Sequence, residues 1–157
     1  MFKIALYEPQ IPQNTGNIAR LVAGIGCELI LLGRLGFSLE DKYLKRAGLD
    51  YWEHVRLAHV NDIDLFFRTY ESSYIALITK FGKYTYDEIF RMSGCGKRDL
   101  VMLFGNETVG LPQDIHERYS ENRFFIPMNN NVRSLNLSNS VAIVAYEWLR
   151  QTGFVMG

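Results

Sequence analysis

The chain has 157 residues, 48% of them hydrophobic and 22% charged, which suits one globular domain with its own core. Seventeen basic and seventeen acidic side chains cancel, which excludes a generally cationic surface and leaves any nucleic-acid contact to a local patch. Cys27 and Cys95 lie far apart with no C-x-x-C, which argues against a disulfide framework or a zinc ribbon and fits a reducing cytoplasm.

The opening MFKIALYEP is a strand pattern, not a signal peptide, and no uncharged apolar run reaches membrane-spanning length. No repeat, low-complexity tract or linker is visible, so a single domain over 1–157 is expected. Phe2 to Tyr7 reads as a buried strand that Glu8-Pro9 and Pro12 end. Asn14 or Thr15 then caps a helix whose apolar face is Ile18, Leu21, Val22 and Ile25. Asn17 and Arg20 share another face of that helix near its start. Gly24 and Gly26 finish it, and Cys27 to Leu32 is a second strand, the opening of a βαβ unit. From this position Arg20 reaches the carboxyl edge of a sheet, where open α/β folds bind ligands, unless it is simply a surface arginine.

Ser38 and Asp41 form a capping box for a short helix carrying Lys42, Lys45 and Arg46. With Arg34 before it and Tyr51-Trp52 after it, this stretch pairs positive charge with stacking surfaces, as RNA contacts do. It reads equally as a solvated helix face. Val55 to Val60 is a short strand, and Asn61 caps a helix over Asp62 to Tyr70. Ser73 to Thr79 is a buried strand, Lys80 to Tyr84 a basic loop, and Thr85 with Glu88 opens a short helix ending at Ser93-Gly94. Leu100 to Phe104, LVMLF, is the most apolar strand and is expected at the sheet's centre. GNETVGLP makes a turn, a helix runs from Leu111-Pro112 to about Tyr119, and Asn122 to Ile126 is the last strand. Strand and helix alternate throughout, which predicts an α/β domain with a mostly parallel sheet covered on both faces.

Ile126 to Leu149 is the most distinctive stretch. Between Pro127 and Ser140 there are five Asn and three Ser, which hold turns, caps or a polar ligand through short hydrogen-bonding side chains. The helix after it has one apolar stripe at Leu137, Val141, Val144, Ala145 and Trp148, and a second at Ala142, Ile143, Tyr146 and Leu149. A terminal helix apolar on most sides needs more cover than a chain this short offers, which points to a subunit interface.

The usual catalytic motifs are missing. Gly105 to Gly110 has P-loop glycine spacing, but Leu-Pro follows where Lys and Ser/Thr are needed. There is no G-x-G-x-x-G after the first strand, no His pair at zinc-protease spacing and no G-x-S-x-G elbow. Glu107 is the one acid placed for a site, as a chemical or a capping carboxylate. What remains is backbone at three strand ends (Leu77–Thr79, Gly105–Glu107, Ile126–Met128) with Arg20 and the Asn/Ser loop. Such a site fits group transfer from a reactive cofactor that the protein aligns.

NTGNIAR at 14–20, LFGNETVGLP at 103–112 and IPMNNNVRSLNLSNSVAI at 126–143 together resemble the motifs of SPOUT-class RNA methyltransferases. YEP at 7–9 and RAGLDYWE at 46–53 resemble the small branch that methylates the ribose 2′-OH of the tRNA wobble nucleotide, cytidine or uridine. The resemblance implies an S-adenosylmethionine-dependent tRNA 2′-O-methyltransferase that releases S-adenosylhomocysteine and uses no metal. It implies a C-terminal trefoil knot, an exception to the rule against knots, and a cytoplasmic homodimer joined through the C-terminal helix. The cofactor would meet Leu77, Gly105, Asn106, Ile126, Met128, Ser134 and Leu135. Arg20, Ser134, Asn136 and Glu107 would form the catalytic set, with Asn14 and Asn17 shaping the pocket. RNA would be met by Arg20, Lys42, Lys45, Arg46 and Arg133. The alternatives are a same-fold 2′-O-methyltransferase for rRNA or another tRNA position, and a non-catalytic cofactor-binding assembly factor.

Overall fold

The computed structural model describes residues 2–39, 51–95 and 97–154. The short helix expected after Ser38, with Lys42, Lys45 and Arg46, lies outside the described residues. Seven strands, β1 (Phe2–Tyr7), β2 (Glu28–Leu32), β3 (Arg56–Val60), β4 (Tyr74–Ile78), β5 (Tyr84–Thr85), β6 (Leu100–Phe104) and β7 (Arg123–Phe125), form one sheet in the order β3-β2-β1-β6-β4-β7-β5. Every pairing is parallel, so all strands point their carboxyl ends to one edge. The helices are α1 (Pro12–Ile25), α2 (Ile63–Thr69), α3 (Ile89–Met92), α4 (Gln113–Arg118) and α5 (Leu137–Gln151).

Alternation along each strand feeds two cores. In β1, Phe2, Ile4 and Leu6 face α1, α3 and α5, packing on Ile18, Val22, Ile89, Val144 and Trp148. Ala5 and Tyr7 face the other way, towards Phe66 and Phe67 of α2 and Ile115 of α4. Continuously apolar strands follow from this burial on both faces. Leu100–Phe104 is buried throughout and is fourth of the seven strands, at the centre as its sequence predicts.

The helix caps differ from expectation. α1 starts at Pro12, whose fixed φ suits a first helical position, and its N-cap Ile11 has no side-chain cap. Asn14 and Thr15, the expected caps, are buried inside the helix instead. α2 is capped by Asp62, which accepts from Leu65 N–H at 2.9 Å, not by Asn61. At Thr85 no side-chain cap forms; Glu88 pairs with Arg91 instead. The basic loop Lys80–Tyr84 runs into β5, whose residues Tyr84 and Thr85 pair with β7.

In the first apolar stripe of α5, Val141, Val144, Ala145 and Trp148 are buried and Leu137 is half-buried. The second is half open, with Leu149 buried, Ala142 and Ile143 partly covered and Tyr146 48% exposed. No helix among the described residues is long and apolar enough to cross a membrane.

Candidate functional site

The carboxyl ends of β4, β6 and β7 open onto a cavity of about 410 Å³. Its walls come from four segments distant in sequence, 78–81, 104–111, 126–128 and 134–140, closed by Ile11 and Asn14 at the start of α1 and by His116 of α4. Parallel pairing puts the first three together, because each chain segment leaves its strand at the same edge.

The loop after β6 is a small closed ring. Asn106 and Gly110 exchange backbone hydrogen bonds at 3.1 and 2.9 Å. The Asn106 side-chain oxygen accepts from the N–H groups of Thr108 at 2.8 Å and Val109 at 3.3 Å. Its amide donates to the Glu8 carbonyl at 2.7 Å. That bond helps hold Glu8 at φ 43°, a left-handed backbone that few non-glycine residues adopt. Gly105 is required by close approach: a Cβ there would lie 2.6 Å from the Gly110 carbonyl carbon.

Glu107 projects from this ring to the entry of α1. Its carboxylate accepts from Gln10 N–H at 2.9 Å, Ile11 N–H at 3.1 Å and the Asn14 side-chain amide at 3.2 Å. It therefore supplies the cap that α1 lacks locally. Asn14 in turn accepts from the Asn136 amide at 2.9 Å. Asn136 is the N-cap of α5, accepting from Ser138 N–H at 2.9 Å and the Ser138 hydroxyl at 2.7 Å. Glu107, Asn14, Asn136 and Ser138 thus form one unbroken chain of hydrogen bonds joining the β6 loop, α1 and α5. Each amide has a partner at both ends, which fixes its orientation.

Of the residues singled out from sequence, Gly105, Asn106, Glu107, Ile126, Met128, Ser134, Leu135 and Asn136 come together around the cavity. Leu77 is not among the described residues lining it. Leu77 is fully buried in the core one residue short of the wall, and its N–H donates to the Asn122 carbonyl. Asn14 is in the wall, whereas Asn17 is exposed on α1. Arg20 is also exposed and outside the lining; its guanidinium lies over the Tyr51 ring, 5.5 Å from the centroid. Tyr51 is anchored beneath it by donating its hydroxyl proton to the Gly16 carbonyl at 3.0 Å. Arg133 is exposed on the Asn/Ser loop.

Two wall residues escape sequence reasoning. His116 on α4 is 7% exposed, and its Nδ1 has no hydrogen-bond partner. Burial, and then the nearby Arg123 charge, hold its pKa below the usual value, so its neutral form is favoured. Phe81 stands against it, with ring centroids 6.1 Å apart at 83°. A single histidine and a loop phenylalanine carry no spacing signal that would have marked them.

Residues 1–146 match the model of the SpoU rRNA Methylase family. A tRNA (cytidine(34)-2′-O)-methyltransferase of Methylovorus glucosotrophus (strain SIP3-4) is 47% identical over 156 residues, covering 98% of this chain and 97% of its own. A provisionally named protein of the same kind from Listeria monocytogenes serotype 4b (strain F2365) is 48% identical over 151 residues, covering 96% of this chain and 88% of its own. A solved structure described as giving insights into the 2-OH methylation of C/U34 on tRNA is 38% identical. It superposes with a TM-score of 0.88, covering 98% of this chain and 97% of that one.

Proposed function

Because the chain belongs to the SpoU rRNA methylase family, we propose that it methylates the ribose 2′-OH of nucleotide 34 of tRNA, cytidine or uridine, as its similar relatives are named for doing. It is an RNA methyltransferase, and S-adenosylmethionine is its methyl donor. The observation that carries this reading is the cavity itself. The strand-end residues Gly105 and Ile126 meet the Asn/Ser loop there.

The cavity's make-up suits that donor. Ile78, Phe104, Ile126 and Leu135 offer apolar surface for a flat purine, and Ser134, Asn136 and Ser140 offer hydroxyl and amide groups for a ribose and an amino-acid tail. Gly105 keeps its stretch of wall free of a side chain. When bound, the cofactor supplies an electrophilic methyl group on a positively charged sulfur.

What the chain must then do is align a sugar hydroxyl and ease the loss of its proton. Glu107 is assigned an orienting role, because both its oxygens are engaged at the entry of α1. Asn14 and Asn136 set the cavity wall, and Ser134 stands at its rim. Arg20 is assigned to the RNA: its exposed guanidinium, steadied by Tyr51, is free to meet a phosphate or lower the cost of forming an alkoxide. Arg133, with Lys42, Lys45 and Arg46, is assigned to the wider RNA surface.

The half-open stripe of α5 favours a homodimer through that helix, and a tRNA substrate favours the cytoplasm. The trefoil knot belongs to the same proposal, on the strength of the family. Calorimetric titration with S-adenosylmethionine, followed by transfer of labelled methyl to bulk tRNA, tests the reading. Uptake of the donor and labelling of tRNA are expected. Binding without transfer to any RNA would favour an assembly factor instead.

A further inference from the structure

We propose that Phe81 is a stacking platform for a base of the RNA substrate at the mouth of the cavity, with Lys80 beside it to meet that nucleotide's phosphate. The proposal rests on the functional reading above and adds a recognition element to it.

Phe81 is 63% exposed although it lies on the cavity's rim. It is not a loose side chain on a loose loop. The Thr79 hydroxyl accepts from Phe81 N–H at 3.2 Å, and Gly82 N–H closes the turn on the Thr79 carbonyl at 3.2 Å. Thr79 and Lys83 N–H groups bond to the carbonyls of Phe124 and Arg123 at 2.9 and 2.8 Å, which ties both sides of the turn to β7. Gly82 sits so close to β7 that a Cβ would lie 2.5 Å from the Phe124 carbonyl carbon. The edge-on His116 ring stands behind. A large aromatic ring is therefore held out towards water by a turn fixed to the sheet, at the mouth of a cavity and in a set orientation.

The charge and shape favour a nucleotide. The Lys80 ammonium lies over one face of the ring, 5.0 Å from its centroid, so the other face and a cation are presented together. That pair matches a splayed base and its phosphate, the usual terms of single-stranded RNA recognition. Val109, 78% exposed, adds apolar surface on the same rim. An anticodon-loop nucleotide delivering its ribose to the cavity brings neighbouring bases past this rim.

The test is binding of an anticodon stem-loop RNA, by fluorescence anisotropy, to protein saturated with S-adenosylhomocysteine. Phe81→Ala is expected to weaken RNA binding about 5- to 150-fold, the range for loss of one base–aromatic stack. Phe81→Trp should restore it and Phe81→Leu should not. The affinity for S-adenosylhomocysteine, measured by calorimetry, should be unchanged in all three. Equal RNA affinity for wild type and Phe81→Ala would overturn the platform and leave the functional reading standing. A loss confined to S-adenosylhomocysteine affinity would make the ring a cofactor contact and also overturn it. If wild-type protein retains no stem-loop at all, the functional reading fails and the platform with it.

Discussion

Replacing Glu107 with Ala leaves three donors without their acceptor: the N–H groups of Gln10 and Ile11 and the amide of buried Asn14. Each such bond contributes about 0.5–1.5 kcal/mol net, and the site is half-buried, so a loss of about 2–3 kcal/mol is expected. For a domain of this size that lowers the unfolding midpoint by roughly 4–12 °C. The assay is thermal unfolding followed by circular dichroism, without cofactor and at one protein concentration, since ligand and partner both shift the midpoint. Glu107→Gln should lose less but still measurably, because its oxygen can accept from Ile11 and Asn14 while its NH2 group would face the Gln10 N–H. Asn14→Ala combined with Glu107→Ala should cost less than the two single losses added, because they share a bond. A Glu107→Gln protein with the wild-type midpoint but no methyl transfer would refute this, and would make Glu107 a chemical group instead of the cap of α1.

Arg20→Ala should lower methyl transfer about a hundredfold or more, the scale of losing one transition-state contact, while S-adenosylmethionine affinity stays at the wild-type value. Calorimetry and single-turnover assays read the two separately. Gly105→Ala should weaken cofactor binding, because its Cβ would lie 2.6 Å from the Gly110 carbonyl carbon and force that backbone away, with a cost of about 1–3 kcal/mol in stability. His116 makes stability fall on the acid side. Above its ordinary pKa of 6.5 the ring is neutral whether folded or not; below it the unfolded chain takes the proton first. This contribution is intact above pH 6.5 and is lost as the pH drops through the lower folded-state value, so unfolding midpoints of wild type and His116→Leu should diverge there and run parallel above. Wild type is expected to sediment as a dimer and Tyr146→Glu, on the open stripe of α5, as a monomer.

Much of the fold can be read locally. Continuously apolar runs such as LVMLF announce strands buried on both faces, and their alternation with helices announces the parallel sheet. The caps are less legible because they are not local. α1 is capped by Glu107, 96 residues beyond Ile11, so no short-range pattern singles it out, and the local pattern points to Asn14 or Thr15 instead. β5 is a two-residue strand, too short to carry a period. At the site, Gly105, Ser134 and Asn136 lie in motif-like stretches and meet at the cavity. Leu77 is displaced by one residue from the wall, a difference below the resolution of any pattern. Phe81 and His116 depend on a turn pinned to β7 and on a six-residue helix packing over the sheet, which only tertiary structure brings together.

The most direct measurement is the location of the methyl group. Total tRNA from cells with and without the protein should be compared by nucleotide-resolution mapping of ribose methylation, and the purified protein should restore any missing mark with labelled S-adenosylmethionine. The account predicts that one 2′-O-methyl group at nucleotide 34, on cytidine or uridine, disappears and returns. Restoration at any other nucleotide, on a base instead of a ribose, or on ribosomal RNA alone, would contradict it.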